Sequence, residues 1–427
     1  MREVWFQEIS VKGLRFMKGS KLSIPAKSWI AYDAGNSAFA TTVLAAFFPI
    51  FFKEYWTQGI DNLTATAYLG YGLTISNLVL LFTAPIIGAI TDFSNATKTF
   101  FITLTILGIV SVLLLYTFEA GDWLYPLIFF GLANYCFAAG NVIYDKLLLL
   151  VADPADIGRV SGYGYAIGYL GGGFLFLINA IMTLQPEIFG LADSTEAVKW
   201  SFISVGVWWA LFLIPIIKNV SVPVIETQSN VLVKSIRKNI ATLSKIKAEK
   251  NVFIFLIAFF LYIDGVHTVM AMASDFALNL NLESSSIIIG LILVQFVAFP
   301  STIAWSYIAE KKGEKNVLYV NILGYLALVS YSVSLSNATE FYVMACMVGS
   351  IQGGIQAVSR SLFAKIIPIK SAGEFFGFYN MFGRAGAFLG PLLVAIFVST
   401  FDSASYGLIP IAVLFILGGL LLIRVKT

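Results

Sequence analysis

Four ionisable side chains interrupt long apolar stretches of this sequence: Asp33, Asp264, His267 and Arg384. Even on insertion scales, a charged side chain at the centre of a membrane helix costs ~2.5 to 3.5 kcal/mol. Inside a membrane, such residues mark the route of a solute or a proton more often than they mark packing. These four residues are therefore the first candidates for a functional site.

Asp264 and His267 lie three residues apart, so they share one face of a helix. Asp264 is about twelve residues into its apolar stretch, which places it ~18 Å from the membrane surface. His267 is the only histidine in the chain, and histidine titrates near physiological pH. The pair is predicted to exchange a proton or hold an ammonium group. The alternative is a hydrogen-bonded pair that only satisfies itself between helices. Two ligands are too few for a metal site.

Arg384 lies about ten residues into another apolar stretch, ~15 Å deep. Its planar guanidinium suits a carboxylate. It is predicted to hold the acid end of a solute, or to neutralise Asp264 when the site is empty; the alternative is a purely structural ion pair. In the second case, solute binding competes with the ion pair and couples occupancy to a rocking motion.

A second group of charges lies nearer the ends of the apolar stretches. Asp33 is only a quarter of the way into the first stretch, so we predict a gate residue that pairs with Lys146 or Arg360. Asp92 and Glu310 follow the second and eighth stretches, and are predicted to meet Lys146 and Arg360, on the fourth and tenth. The alternative is that these charges only set the orientation in the membrane.

Polar side chains near these charges complete the predicted central site, either by contacting the solute or by bonding across helices. They are Asn36, Tyr262, Tyr379, Asn380, Gln352 and Gln356.

The composition shows which elements position these residues. Of 427 residues, 58% are hydrophobic and 12% are charged, and the mean hydropathy is +0.85. Soluble domains carry about 25% charged residues, so the composition argues against a soluble enzyme. Twelve apolar stretches are long enough to cross a membrane as helices, which predicts an all-α membrane protein. They are residues 28–52, 65–90, 99–118, 124–151, 160–183, 198–217, 252–278, 285–308, 316–336, 340–366, 375–400 and 405–423.

Most Lys and Arg residues lie in alternate loops and at the two ends of the chain. This asymmetry predicts that both termini face the cytosol, in a multi-pass protein of the cell (inner) membrane. The predicted domains are a basic arm (1–27), a six-helix bundle (28–217), a cytosolic linker (218–251) and a second bundle (252–427). The arm is predicted to be either an interfacial amphipathic helix or disordered.

The two halves repeat each other at an offset of 214 to 215 residues. Gly140 aligns with Gly354, and Lys146 aligns with Arg360. Further aligned pairs are Pro154 with Pro368, Gly162 with Gly377, Gly168 with Gly383 and Gly171 with Gly386. Matching glycines and prolines predict matching helix contacts and helix ends. A parallel repeat of six helices is typical of a transporter with two pseudo-symmetric bundles.

Other functional classes find little support in the sequence. The net charge of +3 does not predict a nucleic-acid partner. Cys136 and Cys346 have neither disulfide nor metal spacing. The chain has no Walker-type phosphate loop, and we predict no cofactor. The expected partners are the lipid bilayer, a small solute and protons, with the protein acting as a monomer.

The loop from Ser306 to Lys315, SYIAEKKGEK, resembles the loop motif of the major facilitator superfamily. Gly88, Asp92 and Lys98 form a weaker copy. Three longer stretches resemble the branch that contains the vacuolar amino-acid effluxers of fungi and their bacterial relatives: Ala31 to Trp56, Phe259 to Val269 and Gly353 to Pro391. The resemblance implies twelve helices in two bundles and alternating access, and only loosely implies amino-acid export.

These observations predict a secondary active transporter, not an enzyme, that moves a small polar or zwitterionic solute with proton coupling. Amino acids are favoured as solutes through the resemblance. One alternative is an exporter of a larger envelope or lipid-derived solute. Another is a membrane receptor that does not transport.

Overall fold

The computed structural model describes residues 22–93, 95–223, 249–279, 282, 284–401 and 407–426. Most of the predicted N-terminal arm and most of the predicted linker lie outside these residues. The predictions for those two segments therefore concern residues outside the described structure.

The described residues form twelve helices of 15 residues or more. The first six are α1 (Ile24–Trp56), α2 (Asn62–Phe93), α3 (Thr97–Leu114), α4 (Leu124–Val151), α5 (Ile157–Leu184) and α6 (Ser194–Asn219). The last six are α7 (Lys250–Asn279), α8 (Ser284–Lys312), α9 (Glu314–Ser332), α10 (Ala338–Ile366), α11 (Ala372–Phe401) and α12 (Leu408–Leu422). Each lies over one of the predicted apolar stretches, which confirms the all-helical prediction for this part of the chain.

Local sequence signals set where several helices begin. The Ser23 hydroxyl accepts a hydrogen bond from the Ala26 N–H at the start of α1, and Pro25 occupies the first turn. Asp193 and Asn337 cap α6 and α10 in the same way. Within the described residues, nine helices are long and apolar enough to span a membrane. Hydrocarbon offers no partner for backbone groups, so apolar stretches of this length must form helices.

The helices pack in two sets that meet along two seams. Among the first six, α1 packs against α5 and α6, and α3 packs against α4. Among the last six, α7 packs against α11 and α12, and α8 packs against α10. One seam joins α5 to α8 and α10, and the other joins α2 and α4 to α11. Part of the candidate site lies along these seams.

The even-numbered helices end at the face where the odd-numbered ones begin, and we call this the linker face. The ends of α4 and α6 lie beside the start of α1, where Ser23 Oγ bonds to Val151 O and Asn219 bonds to Ser28. The chain leaves α6 at this face and enters α7 there.

Helix α1 is not a uniform α-helix. Residues Phe39–Phe47 and Phe52–Trp56 are π-helical, with a short α-helical turn between them. Aromatic packing accompanies this geometry: the rings of Phe48 and Phe130 stack with centroids 3.7 Å apart. π-Helical turns are rare in proteins, and those that occur are often at functional sites. The two π-helical stretches make α1 the most irregular of the described helices.

At the opposite face, an exposed carboxylate ties α1 to α6. Glu119 accepts a hydrogen bond from the Tyr55 hydroxyl at 2.8 Å and pairs with Lys199 at 3.0 Å. The hydrogen bond from the Tyr55 hydroxyl makes the largest contribution and Lys199 the next, and together they lower the pKa of Glu119 below its ordinary value.

Replacing Glu119 with Gln should remove a small contribution to the free energy of unfolding that is present at neutral pH and lost in acid. The folded pKa of Glu119 is lowered, so its contribution is present above the unfolded pKa and is lost as the pH falls through the folded pKa. We expect the melting temperature of the wild-type protein to fall slightly more than that of Glu119→Gln between about pH 6 and about pH 3. Equal falls in the two proteins would show that the contact adds no stability.

Candidate functional site

A buried ion pair joins the two sets of helices. Arg360, on α10, is 3% exposed and lies 3.3 Å from a carboxylate oxygen of Asp145 on α4. Its Nε donates to the Ser161 hydroxyl and its Nη2 donates to the Ser161 carbonyl oxygen, both at 3.0 Å. The guanidinium of the last six helices is therefore held by α4 and α5 of the first six. Charge-assisted bonds of this kind are the strong ones.

Aromatic rings surround the Arg360 guanidinium. Its Cζ lies 4.8 Å from the ring centroid of Trp29 and 4.1 Å from that of Tyr165. Trp29 stacks on Tyr144, and each bonds to the other's backbone carbonyl oxygen. Cation–π contacts gain strength when they are desolvated. The rings thus stabilise the buried cation and fix its position.

Asn380 and Asp33 complete this arrangement, which we call the Arg360 cluster (Asp33, Asp145, Ser161, Arg360 and Asn380). Asn380, on α11, donates to the second carboxylate oxygen of Asp145 at 2.9 Å. Asp33, on α1, is 6% exposed, and its Oδ2 has no hydrogen-bond partner among the described residues.

Asp33 and Arg360 are close neighbours within the cluster. A Cβ atom placed on Gly164 would lie 3.1 Å from Asp33 Oδ2 and 3.1 Å from Arg360 Nη2. The sequence predicted that Asp33 pairs with Lys146 or Arg360. The structure places Asp33 beside Arg360, whereas Lys146 bonds elsewhere.

The cluster lies inside the bundle, between the linker face and the middle of the helices. Asp33 is nine residues from the start of α1, and Arg360 is six residues from the end of α10. At ~1.5 Å per residue these positions are ~14 Å and ~9 Å from the linker face. The cluster must therefore separate if the two sets of helices part on this side.

A second contact across the seam lies at the linker face itself. Asp92, at the end of α2, accepts hydrogen bonds from the backbone N–H groups of Gly373 and Glu374 at 3.1 and 3.0 Å. These groups belong to the first turn of α11, where a negative charge is favoured by the helix dipole. Lys146 Nζ lies 2.8 Å from Asp92 and holds it from the side of α4.

Glu310, at the end of α8, occupies the corresponding place at the other seam. A Cβ atom on Gly158, at the start of α5, would lie 3.8 Å from Glu310 Oε1. The prediction that Glu310 and Arg360 meet is wrong, because the Arg360 side chain is buried against Asp145 instead. Asp92 and Glu310 thus each face the start of a helix across a seam. The two bases differ, because Lys146 pairs with Asp92 and Arg360 pairs with Asp145.

The predicted central residue Asp264 lies deeper. It is fully buried on α7, ~21 Å from the linker face at ~1.5 Å per residue. Its Oδ1 accepts a hydrogen bond from the Gly390 N–H at 2.9 Å, and its Oδ2 lacks a hydrogen-bond partner in the part of the chain that is described. His267 is half-buried on the same helix. Arg384 lies on α11, but its side chain is outside the described residues.

The remaining predicted polar residues fall into two groups. Gln356 crosses a seam, because its side-chain oxygen accepts a hydrogen bond from the Tyr169 hydroxyl of α5 at 3.0 Å. The others are engaged within one set of helices or simply buried. In that group Asn36 bonds to Asn141, Tyr262 bonds to Ser359, Tyr379 stacks on Phe259 and Gln352 is 3% exposed.

Sequence reasoning assigned no role in the site to Asp145 or Ser161. Asp145 precedes Lys146, and consecutive residues on a helix point about 100° apart. This separation sends Lys146 to Asp92 and Asp145 to Arg360. The signal was present in the doublet of opposite charges near the end of an apolar helix. Ser161 gave no comparable signal, because one of its two bonds to Arg360 is made by its backbone carbonyl oxygen, which any residue has.

Comparisons with known proteins agree with this architecture. Residues 57–427 match the family described as "Vacuole effluxer Atg22 like". The MFS-type transporter YxiO of Bacillus subtilis (strain 168) is 35% identical over 395 residues, which cover 92% of each chain. Autophagy-related protein 22 of Vanderwaltozyma polyspora is 26% identical over 313 residues, which cover 62% of this chain and 59% of that protein.

A solved structure shows the same fold. The crystal structure of the human organic anion transporter MFSD10 (TETRAN) superimposes with a TM-score of 0.72 at 12% identity, covering 93% of this chain and 99% of that one. At this identity the likeness establishes the major facilitator fold alone. With the family match and the bacterial relative, the conclusion is that the chain is a multi-pass membrane transporter of the major facilitator type, not an enzyme, and belongs to the Atg22-like vacuole effluxer family.

Proposed function

We propose that this chain is a secondary active transporter that moves a small zwitterionic solute, an amino acid in the first instance, with proton coupling. The observation that carries the proposal is the Arg360–Asp145 ion pair, which joins the two sets of helices inside the bundle. A buried pair that only held the fold together would gain little over apolar packing. Charged residues at this position are better explained if the pair breaks and re-forms as the two sets of helices rock.

The proposed cycle alternates between two open states. In the state described here, Asp92 bonds the start of α11 and Arg360 bonds Asp145, so the linker face is closed. Opening this face breaks both contacts and admits water to the cluster. The Asp92–Lys146 pair survives, because both residues belong to the first six helices.

The proposed solute site lies deeper than the gate. Asp264 and His267 would receive the amine or a proton, and the Arg384 guanidinium would receive the carboxylate. Asp264 supports this role because it is a fully buried acid with one carboxylate oxygen unbonded within the described residues. A charge of this kind in a membrane is a default candidate for ligand or proton binding.

We further propose that the linker face is cytosolic, in a monomer in the cell membrane. The support is the concentration of basic residues at this face, among them Lys311, Lys312, Lys315 and Lys365. Basic loops remain on the cytosolic side in most membrane proteins.

The solute is tested with purified protein in liposomes. A panel of radiolabelled amino acids is offered under an imposed pH gradient, and a labelled lipid-derived anion is offered in parallel. Accumulation of at least one amino acid that collapses with a protonophore is expected. If only the lipid-derived anion accumulates, the proposed solute class is wrong.

In the same liposomes, Asp264→Asn should abolish accumulation driven by the pH gradient. The amide cannot take up a proton or balance an amine, although its shape is nearly the same. Asp153→Asn, an exposed acid on the linker face, is the matched control and should accumulate solute as the wild type does. Unchanged accumulation in Asp264→Asn would remove Asp264 from the mechanism.

A further inference from the structure

The Arg360 cluster contains one cation and two acids. Asp145 is satisfied, since one carboxylate oxygen faces Arg360 and the other accepts from Asn380. The guanidinium is also satisfied, by Asp145 and by both the hydroxyl and the carbonyl oxygen of Ser161. Asp33 is left over, buried and with an unbonded Oδ2 in the described structure. The cluster therefore carries one negative charge too many.

The other groups around Asp33 do not remove this charge. Its own helix contributes Tyr32 and the hydroxyl of Ser37, α4 contributes Tyr144 and Asp145, α5 contributes Tyr169, and α10 contributes Arg360. Helix α6 faces α1 with Trp208, Trp209 and Phe212, none of which carries a charge. Arg360 is the one cation among these neighbours, and Asp145 shares it. An ionised carboxylate without a counter-charge is too costly to keep in such surroundings.

We propose that closing the linker face binds one proton, and that Asp33 is the group that holds it. The inference rests on the proposed alternating opening of the two sets of helices but not on the identity of the solute. In the closed state Asp33 is a neutral acid beside the Arg360–Asp145 pair. When the sets part, Arg360 leaves with α10, water reaches Asp33, and the proton passes from its carboxyl group to that water.

The direction of the pH effect follows from proton binding. The closed state holds one more proton than the open state, so acid favours closure and rising pH favours opening. For a single proton, the ratio of closed to open protein changes by about tenfold per pH unit at most, wherever Asp33 is protonated in one state and ionised in the other.

The experiment measures the width of the linker face without any solute. Ala155 and Ile369 lie at equivalent exposed positions in the loops that precede α5 and α11. Ala155→Cys and Ile369→Cys, in a background with Cys136→Ser and Cys346→Ser, receive spin labels. Double electron–electron resonance then gives the distance between them in the full-length protein, from about pH 5 to about pH 9.

In the wild-type background, a short distance should dominate in acid and a longer one should grow as the pH rises. Asp33→Asn, which needs no proton, should keep the short distance over the whole range. Asp33→Glu keeps a carboxyl group and should shift with pH as the wild type does. This control separates the loss of a titrating group from a change in side-chain packing at position 33. The proposal is overturned if the wild-type distances ignore pH, if Asp33→Asn still shifts, or if the shift is lost in Asp264→Asn and kept in Asp33→Asn.

This result is separate from the test of the solute. If the distances shift as expected but no amino acid accumulates, the proton at Asp33 stands and the proposed solute class fails. If amino acids accumulate under a pH gradient but the distances do not depend on Asp33, the proposed function stands and the proton must bind elsewhere.

Discussion

Replacing Arg360 with Met should open the linker face and stop transport. Met fills a similar volume but leaves Asp145 and Asp33 buried together without a cation. Removing one partner of a buried pair costs about 3 to 5 kcal/mol, because the other partner must either stay charged without compensation or take up a proton. This cost applies to the closed state alone, since water solvates both acids once the face opens. The closed-to-open ratio should fall by more than about a hundredfold.

The spin labels at positions 155 and 369 measure this change directly, and solute accumulation in liposomes measures its consequence. Arg360→Lys is the matched control for charge. A lysine keeps the cation but cannot bond Ser161 and Asp145 in the same fork geometry, so we expect partial opening and residual transport. If Arg360→Met stays closed and transports normally, the Arg360 cluster has no part in gating.

Replacing Gly88 with Ala should also hold the linker face open, through shape rather than charge. A Cβ atom on Gly88 would lie 2.0 Å from the carbonyl oxygen of Gly373 and 2.7 Å from its carbonyl carbon. These are backbone atoms at the start of α11, so no side chain can rotate away. Overpacking of this kind costs about 1 to 3 kcal/mol. The closed state should lose about 5-fold to 150-fold in population.

The control for this substitution lies on the same helix. A Cβ atom on Gly70 would meet no atom within 4 Å among the described residues, so Gly70→Ala should leave the distances and the transport rate unchanged. The two variants have the same composition, and they differ only in whether the added methyl group faces the seam. Equal behaviour of the two variants would mean that α2 and α11 do not need this close approach.

Much of the helical framework could be predicted from the sequence. Hydrocarbon leaves a helix as the only solution for an isolated apolar stretch of about 20 residues, and residues such as Ser23, Asp193 and Asn337 mark helix starts. The repeat of glycines also pointed to close helix contacts. Gly162 and Gly377 lie at the two seams, against Ser306 and Ala84.

The pairing of the charges could not be predicted in the same way. The repeat aligned Lys146 with Arg360 and suggested equivalent partners, yet Lys146 bonds Asp92 within its own set of helices and Arg360 bonds Asp145 of the other set. Partner choice depends on how far each helix is rotated about its axis. That rotation is set by packing across the seam, between residues such as Gly162 and Ser306 that are far apart in sequence.

The π-helical stretches of α1 divide that helix into two parts with separate angular registers. A π turn holds more residues than an α turn, so side chains beyond Phe47 do not follow the 3.6-residue count that starts at Asp33. A helical wheel drawn through all of α1 therefore assigns the wrong azimuth to its far end. If Phe39–Phe47 converted to ordinary α-helix, Phe48 and Trp56 would swing around the axis while Asp33 kept its orientation. The Tyr55–Glu119 bond is the tether that such a swing would have to release.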